Sequence, residues 1–310
     1  MRYYFAPMEG LTDSVFRRLH HQYFPGIDRY YMPFFSPSMH RVLSHKEQRE
    51  LPVADSVDFS AVPQVLTKST GDFLWAARVC HDLGYQEVNL NTGCPSGTVV
   101  AKGKGSGMLR DLDSLDRFLE EVFRETPLPV SVKTRIGLEM CEEFPAILEV
   151  FNRYPIQELT IHPRVRSQFY NGSVCMEAFD FAVRSSKNPL CFNGDIRTLS
   201  QAEALSKQYP GLSAVMIGRG LIADPGMLCG GTGAAVLERF MTELLAAYES
   251  EFGGGRNAMF RLKEHWSYLQ GRFAGGDTLW KQLRKTTDAA QFKAITREIF
   301  HTLQMLPPQA

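Results

Sequence analysis

Apolar positions along this chain follow two alternating rhythms. Short runs rich in β-branched and aromatic residues recur at 3–7, 29–34, 61–66, 87–91, 129–133, 158–162, 189–193 and 214–217, as expected of strands buried on both faces. Between most of them lie stretches with helical spacing, such as Leu112, Leu115, Phe118, Leu119, Val122 and Phe123, where an i, i+3, i+4 pattern makes one buried stripe. Thr70 and Gly84 bracket another helix as N-cap and stop. Eight such strands alternating with helices predict an α/β fold, and specifically a (β/α)8 TIM barrel. A doubly wound sheet would gather its ligands at one switch point, whereas here nearly every strand ends on the same side in polar or glycine residues. The second unit lacks a helical stripe, so a long irregular loop is expected between Phe34 and Asp58.

After Asp224-Pro225 the pattern becomes helical only, over 235–251, 257–272 and 278–306, with Gly253-Gly254-Gly255 and Gly275-Gly276 as hinges. The expected division is therefore a barrel over 1–235 and a small all-helical C-terminal domain over 236–310.

The net charge is zero, but 256–310 carries 9 Lys/Arg against 4 Asp/Glu, and 1–255 carries 25 against 30. A basic module on a mildly acidic body suits a polyanionic partner, although a surplus this small also suits a solvated surface. No run approaches the roughly 18 apolar residues of a membrane helix, and the Met1-Arg2-Tyr3-Tyr4-Phe5 start is no signal peptide. A cytoplasmic protein, with no membrane contact and no protein partner implied, is expected, as a monomer. The cysteines at 80, 94, 141, 175, 191 and 229 show no close pairing, which argues for thiols over disulfides or zinc.

The strand ends carry the candidate chemistry. Glu87-Val88-Asn89-Leu90-Asn91 runs into Thr92-Gly93-Cys94-Pro95-Ser96-Gly97, a turn that continues neither strand nor helix and sets Cys94 where barrels keep reactive groups. In such a turn a cysteine also serves as a small filler residue. The other strands deliver Pro7, Met8 and Glu9, then Gln64, then Lys133 and Arg135, then His162, Arg164 and Arg166, then Asn193, Gly194 and Asp195, and finally Gly218-Arg219-Gly220. Lys133 closes an apolar strand, so its ammonium must face the barrel mouth or pay a desolvation penalty. It suits either a Schiff base or positive charge beside an anionic ring. Carboxylates and histidines are too few and scattered for a metal shell, so no metal is expected. Planar amides and cations suit a flavin: Gln64 and Asn193 for the polar ring edge, Lys133 for charge on the reduced form, Gly218 and Arg219 for the phosphate.

The chain resembles the flavin-dependent tRNA-dihydrouridine synthases. The likeness rests on Ala6-Pro7-Met8-Glu9-Gly10-Leu11-Thr12-Asp13, Asn91-Thr92-Gly93-Cys94-Pro95-Ser96, Val132-Lys133-Thr134-Arg135-Ile136-Gly137, Ile161-His162-Pro163-Arg164, Asn193-Gly194-Asp195-Ile196 and Met216-Ile217-Gly218-Arg219-Gly220. These lie in the family's order and span the barrel, and a helical tail follows. The chain departs from the pattern at Pro163, at Asn89 where an aspartate is common, and at Tyr30-Tyr31-Met32-Pro33.

The resemblance implies reduction of a uridine in tRNA at C5=C6, with FMN as cofactor and NADPH or NADH as transient reductant. By it, Pro7, Met8, Glu9, Gln64, Lys133, His162, Asn193, Gly194, Asp195, Gly218 and Arg219 would hold FMN. Asn91 and Arg135 would orient the uracil, with Lys102 and Lys104 extending the basic surface toward RNA. Cys94 would give the proton to C5, a role that needs a thiol and not a thiolate. The nucleotide must leave its stack to reach such a site, and the basic tail would hold the RNA meanwhile through Arg256, Arg261, Lys263, Arg272, Lys281, Arg284, Lys285, Lys293 and Arg297. The alternatives are a flavin oxidoreductase of a free pyrimidine or enoate, a Schiff-base lyase using Lys133, and a non-catalytic RNA-binding barrel.

Overall fold

The computed structural model describes residues 1–307. Nine parallel strands, β1 (Arg2–Phe5), β2 (Arg29–Tyr31), β3 (Ala61–Val62), β4 (Gln64–Val65), β5 (Val88–Thr92), β6 (Val130–Arg135), β7 (Leu159–His162), β8 (Leu190–Asn193) and β9 (Ala214–Ile217), hydrogen-bond in the order β3-β2-β1-β9-β8-β7-β6-β5-β4. The two ends of that order are one piece of chain. Pro63, which has no N–H to give, separates β3, paired to β2, from β4, paired to β5. The sheet thus closes into the eight-staved barrel that the sequence predicts, its third stave changing partners at a proline. Tyr4, Ala6, Tyr31, Val62, Cys191, Ala214 and Met216 form a buried cluster of the barrel's core.

Contacts gather the chain into two units. The first comprises Met1–Pro7, Asp28–Asp195 and Ala204–Met216; the second comprises Met8–Ile27, Ile196–Glu203 and the chain from Ile217 onward. In the second, Phe240 of the helix Ala234–Phe252 packs edge-on against Phe16, Tyr23 and Phe24. Buried His20 lies among these rings with Nε2 3.1 Å from the Pro225 carbonyl oxygen, and burial pushes the imidazole down to about 3.

Three local expectations change. The loop after Phe34 contains a helix, His45–Glu50, that buries no residue and so has no apolar stripe; a Ser44/Glu47 capping box starts it. Ser69, one residue before Thr70, caps the helix Thr70–Asp82, and Gly84 does stop it at φ +88°. The last tail helix is two, Asp277–Lys285 and Ala289–Thr302. Between them the Asp288 side chain accepts from the Gln291 amide at 2.6 Å and starts a new helix.

Candidate active site

The strands of the first unit bring Gln64, Asn89, Asn91, Lys133, Arg135, His162, Asn193 and the Cys94 turn to the barrel's C-terminal side. Parallel register pairs Asn89 with Ser131 and Asn91 with Lys133. From these positions a chain of side-chain amides runs up the barrel. Asn89 Nδ2 donates to Ser131 Oγ at 2.8 Å, Gln64 Nε2 donates to Asn89 Oδ1 at 2.8 Å, and Asn91 Nδ2 donates to Gln64 Oε1 at 2.8 Å. Asn91 Oδ1 then accepts the backbone N–H groups of Gly93 at 3.0 Å and Cys94 at 2.9 Å.

The rest of the turn is held as firmly. The Cys94 carbonyl accepts from Ser106 Oγ at 2.9 Å and from the Ser106 amide at 3.1 Å. That contact requires glycine at 105: φ is +57°, and a Cβ there would lie 2.9 Å from the Cys94 carbonyl oxygen. Arg135, buried, gives Nε to the Gly93 carbonyl at 3.0 Å, one amino group to Val165 at 3.0 Å and the other to Phe169 at 2.6 Å. Its guanidinium also lies 5.3 Å from the Tyr170 ring centroid. Asn91 and Arg135, expected to face the substrate, thus each bond the Cys94 turn, Asn91 also reaching Gln64 and Arg135 the loop after β7. Cys94 itself is half-buried.

Lys133 is half-buried, and its ammonium is pushed down to about 8, first by desolvation and then by the nearby Arg135 charge; Cys94 acts on it in the opposite direction. His162 Nε2 lies 3.1 Å from an Arg164 amino nitrogen. Since arginine only donates, Nε2 accepts and the ring proton sits on Nδ1. Arg164, 1% exposed, also grips Asp195 with both amino groups. Asp195 is therefore charge-compensated within the unit. Asn193 gives Nδ2 to the Met216 carbonyl at 2.8 Å, and a Cβ on Gly194 would sit 2.4 Å from the Phe192 ring. Pro7 ends the first segment of this unit. Lys102, exposed, follows the short helix Gly97–Ala101, and Lys104 is half-buried.

The second unit holds Met8, Glu9, Gly218 and Arg219. The Met8 amide donates to Thr12 Oγ1 at 2.9 Å, shaping the Met8–Asp13 turn. Gly218 precedes the helix Arg219–Ala223, where a Cβ on Gly220 would lie 2.4 Å from the Ile196 carbonyl oxygen. Of the tail's basic residues, Arg261 donates to the Gly10 carbonyl at 2.6 Å, Lys263 to the carbonyls of Arg284 and Thr286, Arg272 pairs with Asp224 at 2.8 Å, and Lys293 with Glu249 at 2.8 Å. These four make bonds within the fold, Lys293 through an exposed side chain. Arg256, Lys281, Arg284, Lys285 and Arg297 are exposed.

Sequence reasoning missed Ser106, Ser131 and Tyr170. The first two carry no local signal, while Phe169-Tyr170 stands out as an aromatic pair in a polar loop, with Phe169 at φ +51°.

A closed parallel barrel with polar strand ends around a half-buried thiol defines an enzyme of the TIM-barrel class. The family model described as Dihydrouridine synthase (Dus) matches residues 4–302, and the chain belongs to that family. It is 30% identical over 225 residues to a "Probable tRNA-dihydrouridine synthase" of Rickettsia bellii, covering 72% of this chain and 68% of the relative. It is 27% identical over 315 residues to the "tRNA-dihydrouridine synthase B" of Pectobacterium carotovorum, covering 96% and 95%. Among solved structures, morphinone reductase has the same fold at TM-score 0.52 and 13% identity, over 78% of this chain and 86% of that one. No helix among the described residues is long and apolar enough to cross a membrane.

Proposed function

We propose that this protein is a tRNA-dihydrouridine synthase that reduces the C5=C6 bond of a uridine in tRNA, with Cys94 as the proton donor to C5. The observation that carries the reading is the Cys94 turn. Its amide, its carbonyl and the neighbouring Gly93 carbonyl are held by Asn91, Ser106 and Arg135, while the thiol is half-buried on a strand end that pairs with Lys133. Holding a donor in place before the reaction lowers its entropic cost.

The donor set fits FMN. The relay leaves Gln64 one amide hydrogen and one lone pair beyond its bonds to Asn89 and Asn91, and Lys133 carries positive charge at neutral pH. A ring with a polar edge that turns anionic on reduction suits both. In this reading Gln64, Lys133, His162 and Asn193 hold the ring, with Pro7, Gly194 and Asp195 beside them, and Asp195 acts through Arg164. The assignment of Met8, Glu9, Gly218 and Arg219 to the same cofactor rests on the motif resemblance. When bound, FMN supplies a hydride, drawn from NADPH or NADH, to C6 of the uracil.

Cys94 keeps its proton on Sγ until C5 needs it. The remaining donors of Asn91 and Arg135 face the uracil carbonyls, and Lys102 and Lys104 meet RNA phosphate. The proposed role needs a thiol at neutral pH, so alkylation of Cys94 against pH tests it directly: acceleration confined to pH above 7 supports the reading, and onset below it removes Cys94 as a proton donor. The exposed Lys281, Arg284 and Lys285 lie along one tail helix and give tRNA phosphate contacts of the salt-dependent kind. The deciding experiment is position-resolved mapping of dihydrouridine in tRNA from a deletion strain complemented with this chain. Restoration at a defined uridine is expected; a yellow protein that restores none would turn the reading toward a free pyrimidine or enoate as substrate.

A further inference from the structure

The amide chain beneath Cys94 has a fixed direction. The Gly93 and Cys94 backbone N–H groups can only donate, so the side-chain atom of Asn91 facing them is the acceptor Oδ1. That choice forces Nδ2 of Asn91 toward Gln64, which forces Oε1 of Gln64 toward Asn91 and its Nε2 toward Asn89. Asn89 then has to point Nδ2 at Ser131. A terminal amide normally has two nearly equal orientations; here none of the three does. Asn89 and Ser131 are both 0% exposed, and they end a relay that reaches the Cys94 amide.

Resting on the proposed role of Cys94, we infer that Asn89 and Ser131 are positioning residues: they anchor the far end of the relay, holding Gln64 and Asn91 in place and, through them, the Cys94 thiol. Packing alone predicts a different ranking of variants than the relay does. In Asn89→Leu the branched heavy-atom shape is kept but the acceptor for Gln64 is lost, which leaves the Gln64 Nε2 donor unsatisfied and lets its side chain shift, with Asn91 bonded to it. In Asn89→Asp the carboxylate still accepts from Gln64 Nε2, and the Ser131 hydroxyl rotates to donate, so the direction survives although a charge is buried. A site that only needs filling tolerates leucine better than a buried carboxylate; a site that needs direction prefers the aspartate.

The test measures kcat, KM for tRNA, and the rate of iodoacetamide alkylation of Cys94 by peptide mass spectrometry, in wild type, Asn89→Leu, Asn89→Asp and Ser131→Ala. Asn89→Leu is expected to lose on the order of tenfold in kcat, the kinetic equivalent of one buried hydrogen bond, with KM unchanged within about twofold and Cys94 alkylation altered by a similar factor. Asn89→Asp is expected to recover most of that loss. Ser131→Ala, the mildest change, serves if leucine prevents folding and is expected to alter Cys94 alkylation about threefold. Leucine matching or exceeding aspartate in kcat, or alkylation of Cys94 untouched by all three, overturns the relay. Alkylation is read without turnover, so a wild-type protein that reduces no tRNA would overturn the functional reading while the relay is still judged.

Discussion

The two ends of the barrel bury polar groups to opposite purposes. At the N-terminal ends of the strands, charged side chains pair with one another: Glu87 accepts from Arg29 at 2.7 Å, and Glu158 accepts from Ser213 Oγ at 2.6 Å, Tyr4 at 3.2 Å and Arg2 at 3.3 Å. These bonds tie β1 and β2 to the starts of β5, β7 and β9. At the C-terminal ends, side-chain amides bond one another, Arg135 bonds backbone carbonyls, and the half-buried Lys133 ammonium is depressed by desolvation. The lower end ties strands together through these two carboxylates; the upper end holds a thiol and a depressed ammonium in place. That division is the one expected of barrels whose chemistry sits on the loops after the strands.

The sharpest way to separate the ends is to remove one group from each. Cys94→Ala is expected to lower dihydrouridine formation by a hundredfold or more, in the range of a lost general acid, and to leave the melting temperature near wild type. Single-turnover assays with thermal melts check both halves of the statement. Glu87→Ala should do the reverse. Glu87 is 7% exposed, and its loss strands the Arg29 guanidinium at a cost of about 3 kcal/mol, with kcat per folded molecule unchanged; urea unfolding beside activity is the measurement. A large kcat loss in Glu87→Ala would show that the two ends are coupled.

Lys133 allows a test with the opposite sign. Its ammonium is depressed from the ordinary 10.5 to about 8, so between those values the unfolded chain binds a proton that the folded chain does not. Stability contributed by the neutral amine is therefore gained as pH rises from 8 to 10.5, and below 8 the fold carries the full cost of a buried charge. Lys133→Met removes that cost. It should stabilise the protein by about 2 kcal/mol at pH 7 while weakening flavin binding, and the gain should vanish near pH 10.5. Melts at both pH values check it, and a destabilised variant at pH 7 would mean that an unrecognised anion compensates Lys133.

Much of this layout was legible in the residue pattern, because buried parallel strands write themselves as apolar runs and their polar ends stand out against them. Gln64, Asn91, Cys94, Lys133, His162 and Asn193 all announce themselves this way. What was not legible depends on contacts made far along the chain or on surfaces with no stripe. The helix His45–Glu50 buries nothing, so hydrophobic periodicity could not reveal it, although Ser44 and Glu47 could have. Arg261, Arg272 and Lys293 look like free surface charge in the sequence, and only the structure shows their bonds to Gly10, Asp224 and Glu249. Ser131 reads as a neutral residue in a strand until register places it opposite Asn89.

Ser106 offers the finest probe of the contrast, since it lies twelve residues beyond Cys94 and its hydroxyl bonds the turn's carbonyl. Its amide also bonds that carbonyl, at 3.1 Å, so Ser106→Ala removes one of two donors and leaves the loop's path intact. One neutral hydrogen bond is worth about 1 kcal/mol. If the upper end works by holding the thiol still, that loss should appear as roughly a fivefold fall in kcat, with KM for tRNA and the melting temperature scarcely moved. If the same loss appears in the melting temperature while kcat stays level, the Cys94 turn is held for stability as the lower end is, and the distinction between the two ends fails.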